Sequence, residues 1–92
     1  MTPAERAQLP LCAAVDAPRD ACTACERDDG AQCWVVSEAL EHGDLRDKAL
    51  FNARGCELGH VRSCMDLGHA YKRGVLPRPA GVHGVLLEES AC

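Results

Sequence analysis

Apolar and small residues recur along this chain at spacings of three and four, and proline, glycine and aspartate interrupt them at intervals. Thr2-Pro3-Ala4-Glu5 reads as a helix start, with Thr2 as cap, Pro3 at the first helical position and Glu5 completing a capping box. Pro10 keeps that helix short. Leu11 to Val15 forms at most another turn before Pro18. Helices are then predicted over Arg19–Asp28 and Ala31–His42, the second ended by Gly43. Asp44 caps the next helix, which runs through Glu57 with an apolar stripe of Leu45, Ala49, Ala53 and Cys56. The helix Val61–Arg73 carries Val61, Cys64, Leu67, Gly68 and Tyr71 on one side and stops at Gly74. Pro77 and Pro79 make Val75–Pro79 a linker. Val82–Cys92 reads as one more helix, weakened by Gly81 and Gly84.

Cys56 and Cys64 stand eight positions apart with Gly59 and His60 between them. In one continuous helix their Cα atoms would be roughly 12 Å apart, whereas a disulfide requires about 7 Å or less. Pairing them therefore needs the chain to reverse at Leu58-Gly59-His60, giving two antiparallel helices pinned at their turn. Cys25 and Cys33 repeat the spacing, with Asp29-Gly30 at the turn. A shift of 31 positions lays Cys25 on Cys56, Glu26 on Glu57, Cys33 on Cys64, Ala39 on Ala70 and Gly43 on Gly74. A period of about 30–40 residues built of helix pairs is the signature of an α-solenoid. The expected architecture is all-α, a superhelical stack of disulfide-stapled hairpins. An N-terminal helical extension covers 1–18, repeats cover 19–43 and 44–79, and the first helix of a partial third repeat covers 80–92.

Composition supports stapling. The chain has 92 residues, seven cysteines and only three aromatics, Trp34, Phe51 and Tyr71. A core this small is marginal without cross-links. Cysteine density of this kind belongs to oxidising compartments. Met1 to Pro10 has no apolar run after a basic start, so no secretory signal peptide is visible, and no stretch is long enough to span a membrane. Three accounts stay open: another route to an oxidising space (periplasmic, secreted or mitochondrial intermembrane), reduced thiols in a cytoplasm, or a sequence shorter than the native chain.

Net charge is −4, with −5 up to Gly43 and +1 from Asp44 onward. That distribution argues against nucleic acid as a partner.

The residues Leu67-Gly68, Tyr71 and Gly74, the alanine-rich helices and Gly59 at the turn resemble the Sel-1-like repeat, a relative of the tetratricopeptide repeat. The paired cysteines resemble its cysteine-rich branch. That branch includes secreted bacterial repeat proteins, some penicillin-binding or β-lactamase-like, and a cytochrome c oxidase assembly factor of the mitochondrial intermembrane space. The resemblance covers Asp44–Gly74 well and Ala24–Gly43 in part. In the earlier repeat, Val36, Ser37 and Leu40 stand where the family has Leu, Gly and Tyr. It implies a non-enzymatic scaffold or assembly adaptor, with β-lactam binding or hydrolysis as the alternative.

A solenoid offers a concave wall to another polypeptide. Asn52, Asp66, His69, Lys72 and Arg73 are the candidate contact residues for a protein or peptide partner, and ordinary solvent exposure is the plain alternative. Cys25–Cys33 and Cys56–Cys64 are expected as structural disulfides and Cys12–Cys22 as a third, although Cys12, Cys22, Cys25 and Cys33 together allow three connectivities. Cys92 is then the odd thiol, open to an intermolecular disulfide. Cys22-Thr23-Ala24-Cys25 is also a CxxC, which with Cys33 and His42 could supply zinc ligands or a redox dithiol. No catalytic residue and no cofactor emerges otherwise. None of Ser37, Ser63 and Ser90 begins a Ser-x-x-Lys or lies in a Gly-x-Ser-x-Gly, and no His-Glu-x-x-His occurs. His60 is expected to be solvated at its turn, and Trp34 and Tyr71 are expected in the core.

Overall fold

A computed structural model describes residues 1–40 and 43–77. His42, His83, Ser90, Cys92 and the expected helix Val82–Cys92 lie outside the described residues. Among the described residues all regular structure is helical: α1 (Pro3–Gln8), a 3-10 turn (Cys12–Ala14), α2 (Arg19–Glu26), α3 (Gly30–Ala39), α4 (Leu45–Glu57) and α5 (Val61–Lys72). The Thr2 cap forms with its full capping box, each side chain bonding the other's backbone. Asp44 caps α4 by accepting from the amides of Arg46 and Asp47.

The helices form two hairpins, α2 with α3 and α4 with α5, and α3 lies along α4 between them. The turns superpose under the 31-residue shift. Asp29 N–H donates to Ala24 O at 3.0 Å, and His60 N–H donates to Gly55 O at 2.9 Å. Asp28 N–H reaches Cys25 O at 3.2 Å, and Gly59 N–H reaches Cys56 O at 3.0 Å. The left-handed residue of the first turn is Asp28 (φ 72°) and that of the second is Gly59 (φ 88°). The reversal thus falls earlier than Asp29-Gly30. Gly30 instead opens α3, where an added Cβ would stand 3.0 Å from the Leu58 Cβ and 3.1 Å from the Gly55 carbonyl oxygen. Its lack of a side chain lets the two hairpin ends touch.

Two apolar clusters fill the interior. The first gathers Ala21, Cys22, Cys25, Cys33, Val36 and Leu40 around Phe51; the second gathers Ala49, Leu50, Ala53, Leu67, Ala70, Tyr71 and Leu76. Phe51 belongs to α4, so α4 feeds both clusters and is buried along most of its circumference. A single stripe from Leu45 to Cys56 therefore describes it poorly. Leu45, at the first helical position, is exposed, and Leu50 and Phe51 carry the burial. Val61, first in α5, is likewise exposed. Past Gly74 the chain folds back: Val75 N–H donates to Ala70 O at 3.0 Å, and Leu76 enters the second cluster at 1 % exposure. The start of the expected linker is therefore core, an apolar contact typical of a left-handed helix stop.

α1 is fastened to α4 and α5 by polar contacts. Buried Glu5 accepts from the Tyr71 hydroxyl, and both burial and this carboxylate push the Tyr71 phenol above its usual range. Glu57 accepts from the Met1 ammonium at 3.0 Å, from Arg6 at 2.8 Å and from Arg54 at 3.0 Å. The ammonium first, then Arg6, hold its carboxyl down at about 2.

Candidate functional site

The C-terminal half of α3, the first turns of α4 and the length of α5 diverge around a groove of about 320 Å³. Lys48, Ala49 and Asn52 line it from α4, Asp66 and His69 from α5, Arg73 from the end of α5, and Glu38 from α3. Four of the five sequence candidates, Asn52, Asp66, His69 and Arg73, thus share one concavity, because α4 and α5 present i, i+3 and i, i+4 positions toward each other. Lys72 is exposed and does not line it.

These residues differ in what they can offer. Asn52 is 2 % exposed, and its Oδ1 has no hydrogen-bond partner among the described residues. A buried amide oxygen left without a donor costs about 1–3 kcal/mol. Asp66 is committed elsewhere: Oδ2 accepts from the Trp34 indole N–H at 3.2 Å, and Oδ1 stands 3.8 Å from the Arg62 guanidinium. It couples the two hairpins and sets the position of Arg62 on the rim. Lys48 donates to the Ser37 carbonyl at 3.0 Å and pairs with Glu38 at 3.4 Å. That places a cation at the C-terminal end of α3, where the helix dipole favours one. His69 and Arg73 stand exposed at the mouth. Lys48, Glu38 and Arg62 were not singled out in the sequence, although the spacings Lys48–Asn52 and Arg62–Asp66 would have placed them.

His60 is half-buried rather than solvated. Its Nδ1 accepts from the Ser63 amide at 3.3 Å and caps α5, the role Asp29 plays for α3 by accepting from Gln32 N–H. The Trp34 ring lies over it, centroids 5.9 Å apart. Trp34 is itself half-buried at the hairpin junction, while Tyr71 is in the core. Ser63 Oγ lies 3.0 Å from the same His60 Nδ1. The pair is no nucleophile and base: Ser63 is wholly buried, and a Cβ on Gly55 would come within 2.4 Å of its oxygen. Ser37 is buried as well.

The sulfur atoms of Cys12 and Cys22, Cys25 and Cys33, and Cys56 and Cys64 stand at bonding distance, with Cα separations of 5.7, 4.6 and 4.5 Å. Cys22 and Cys25 are thus each bonded to another cysteine and do not form a free dithiol.

The described chain is therefore an all-helical, disulfide-stapled protein with a groove of mixed polar and apolar lining across its second hairpin. Comparison with protein-family models, curated proteins and solved structures finds no match. No helix among the described residues is long and apolar enough to cross a membrane.

Proposed function

We propose that this protein is a non-enzymatic interaction scaffold or assembly adaptor of Sel-1-like type, its hairpins units of an α-solenoid, and that the α3–α4–α5 groove docks an extended segment of another protein. The observation that carries this reading is the one groove lined together by Asn52, Asp66, His69 and Arg73, with a buried Asn52 Oδ1 that has no donor and that a small turn of the side chain would bring to a peptide N–H. An extended peptide carries N–H donors and C=O acceptors at regular spacing, and a side-chain amide can serve one of each. Arg62, Arg73 and Lys48 beside Glu38 and Asp66 give the rim both signs of charge, which suits a polar peptide better than an apolar small molecule. The burial of Ser37 and Ser63 favours this reading over β-lactam hydrolysis. Three disulfides suit an oxidising compartment.

The test is selection of binding sequences from a displayed library of unstructured peptides, followed by titration against Asn52→Leu and Arg73→Glu. Peptides that lose affinity about tenfold or more in both variants, with the fold intact, support the groove. Peptides that bind both variants as they bind the parent chain place the contact surface elsewhere.

A further inference from the structure

Away from the groove, Cys12, Cys22 and Glu26 converge where the 3-10 turn meets α2. Cys12 Sγ is bonded to Cys22 Sγ and lies 3.0 Å from Glu26 Oε1. The donor atoms of the three residues all lie within 4.8 Å of one another. This disulfide is the one the repeat does not encode: a 31-residue shift takes Cys12 to Gly43 and Cys22 to Ala53. The carboxylate has no evident task in the oxidised form. A disulfide is neutral, and among the described residues no lysine or arginine pairs with Glu26.

We propose that reduction of Cys12–Cys22 converts this corner into a site for a zinc-class divalent cation, held by the two thiolates and the Glu26 carboxylate with one position open. The reductant is a dithiol. Its two sulfurs give up two electrons and two protons and close as a disulfide, while Cys12 and Cys22 become thiols. The cation then displaces both thiol protons to solvent. Zinc takes sulfur at about 2.3 Å and carboxylate oxygen at about 2.0–2.2 Å in a tetrahedron, which sets sulfurs about 3.8 Å apart and sulfur and oxygen about 3.5 Å apart. Two thiols freed from their bond separate to about that distance on contact grounds alone. Cys22 and Glu26 are four positions apart on α2, so one helix face presents them as a ready ligand pair. Cys12 sits on a three-residue turn between Pro10 and Pro18 and can adjust. The two hairpin staples, Cys25–Cys33 and Cys56–Cys64, use none of these atoms.

The test uses the full chain, treated with a phosphine only until Cys12–Cys22 is open while Cys25–Cys33 and Cys56–Cys64 stay closed, freed of the phosphine without air, and titrated with cobalt(II) as the spectroscopic stand-in for zinc. Alkylation mapping on the same sample identifies the opened thiols. One equivalent of cobalt with sulfur-to-metal charge-transfer absorption is expected, displaced by zinc. Cys12→Ser should abolish the sulfur signature of a dithiolate site. Glu26→Gln changes an exposed side chain that leaves every disulfide in place, and should weaken uptake at least about tenfold, since even outer-shell partners of a metal site are worth that much. No uptake by the reduced chain, folded or not, overturns the site. So does uptake of equal affinity in Glu26→Gln, or uptake lost in Cys56→Ser and kept in Cys12→Ser.

Discussion

Asp28 and Gly59, 31 residues apart, hold the same left-handed position in two hairpin turns, at φ 72° and φ 88°. The two residues reach it differently. Glycine has no Cβ to strain, and nothing lies within 4 Å of where one would stand. Aspartate tolerates the region better than most residues and here pairs with Arg54 of the next hairpin. Substitution should therefore be asymmetric. Gly59→Ala meets only the conformational cost and should lose about 1–2 kcal/mol. Asp28→Gly relieves a similar strain but gives up an exposed ion pair worth up to about 1 kcal/mol, and should fall near neutral. Denaturant unfolding of both variants measures the difference.

Phe51 is the largest side chain buried below 2 % exposure, and it crosses from α4 into the first hairpin's cluster. Phe51→Ala should cost about 3–5 kcal/mol. A core of this size supplies little more than that, so the three disulfides carry the stability that is left. The variant should melt well below the parent chain, with loss of helical circular dichroism as the readout.

Close approach of α4 to α5 depends on Gly55. A methyl there would meet Ser63 Oγ at 2.4 Å and Ser63 Cβ at 2.9 Å, and Ser63 is short and buried with nowhere to turn. Gly55→Ala should lose about 1–3 kcal/mol by overpacking, despite the better helix propensity of alanine. A gain in melting temperature would show the contact to be looser than the geometry implies.

Glu57 makes stability depend on pH in a defined window. Its folded carboxyl is held at about 2 against an ordinary 4.5, by the Met1 ammonium and then Arg6. A depressed folded value means the contribution is complete above the unfolded value and is lost as pH falls toward the folded one. The melting difference between the parent chain and Glu57→Gln should be constant between about pH 5 and 7, shrink between about pH 4 and 2, and vanish below. Added salt should reduce it, because the Glu57 side chain is partly exposed.

What the sequence made legible was local. Capping at Thr2 and Asp44 and the eight-residue cysteine spacing depend on residues within one or two turns of each other, and the α4 and α5 boundaries could be read to within a residue. Most of its misses needed a neighbour distant in the chain; His60, which caps α5 through Ser63 three positions on, is the exception. Gly30 looks like a turn glycine, yet it serves a contact with Leu58 and Gly55. Leu45 and Val61 fit their helices' apolar period, but each stands exposed at the first position of its helix. His60 caps α5 only because the turn aims Nδ1 at the Ser63 amide. Leu76 follows a helix stop and still joins the core. In the groove, residue type and spacing found Asn52, Asp66, His69 and Arg73. Only the fold showed that Trp34 and Arg62 engage Asp66 while Asn52 Oδ1 is left without a donor.

Whether Asn52 is kept for binding at the expense of stability is decided by Asn52→Leu. Thermal melting and affinity for a groove-selected peptide are measured on the same preparation. A higher melting temperature than the parent chain is expected, together with a loss of affinity of about tenfold or more. A variant that melts lower and binds the peptide unchanged would contradict it, since Asn52 would then be a structural residue and the groove no docking site.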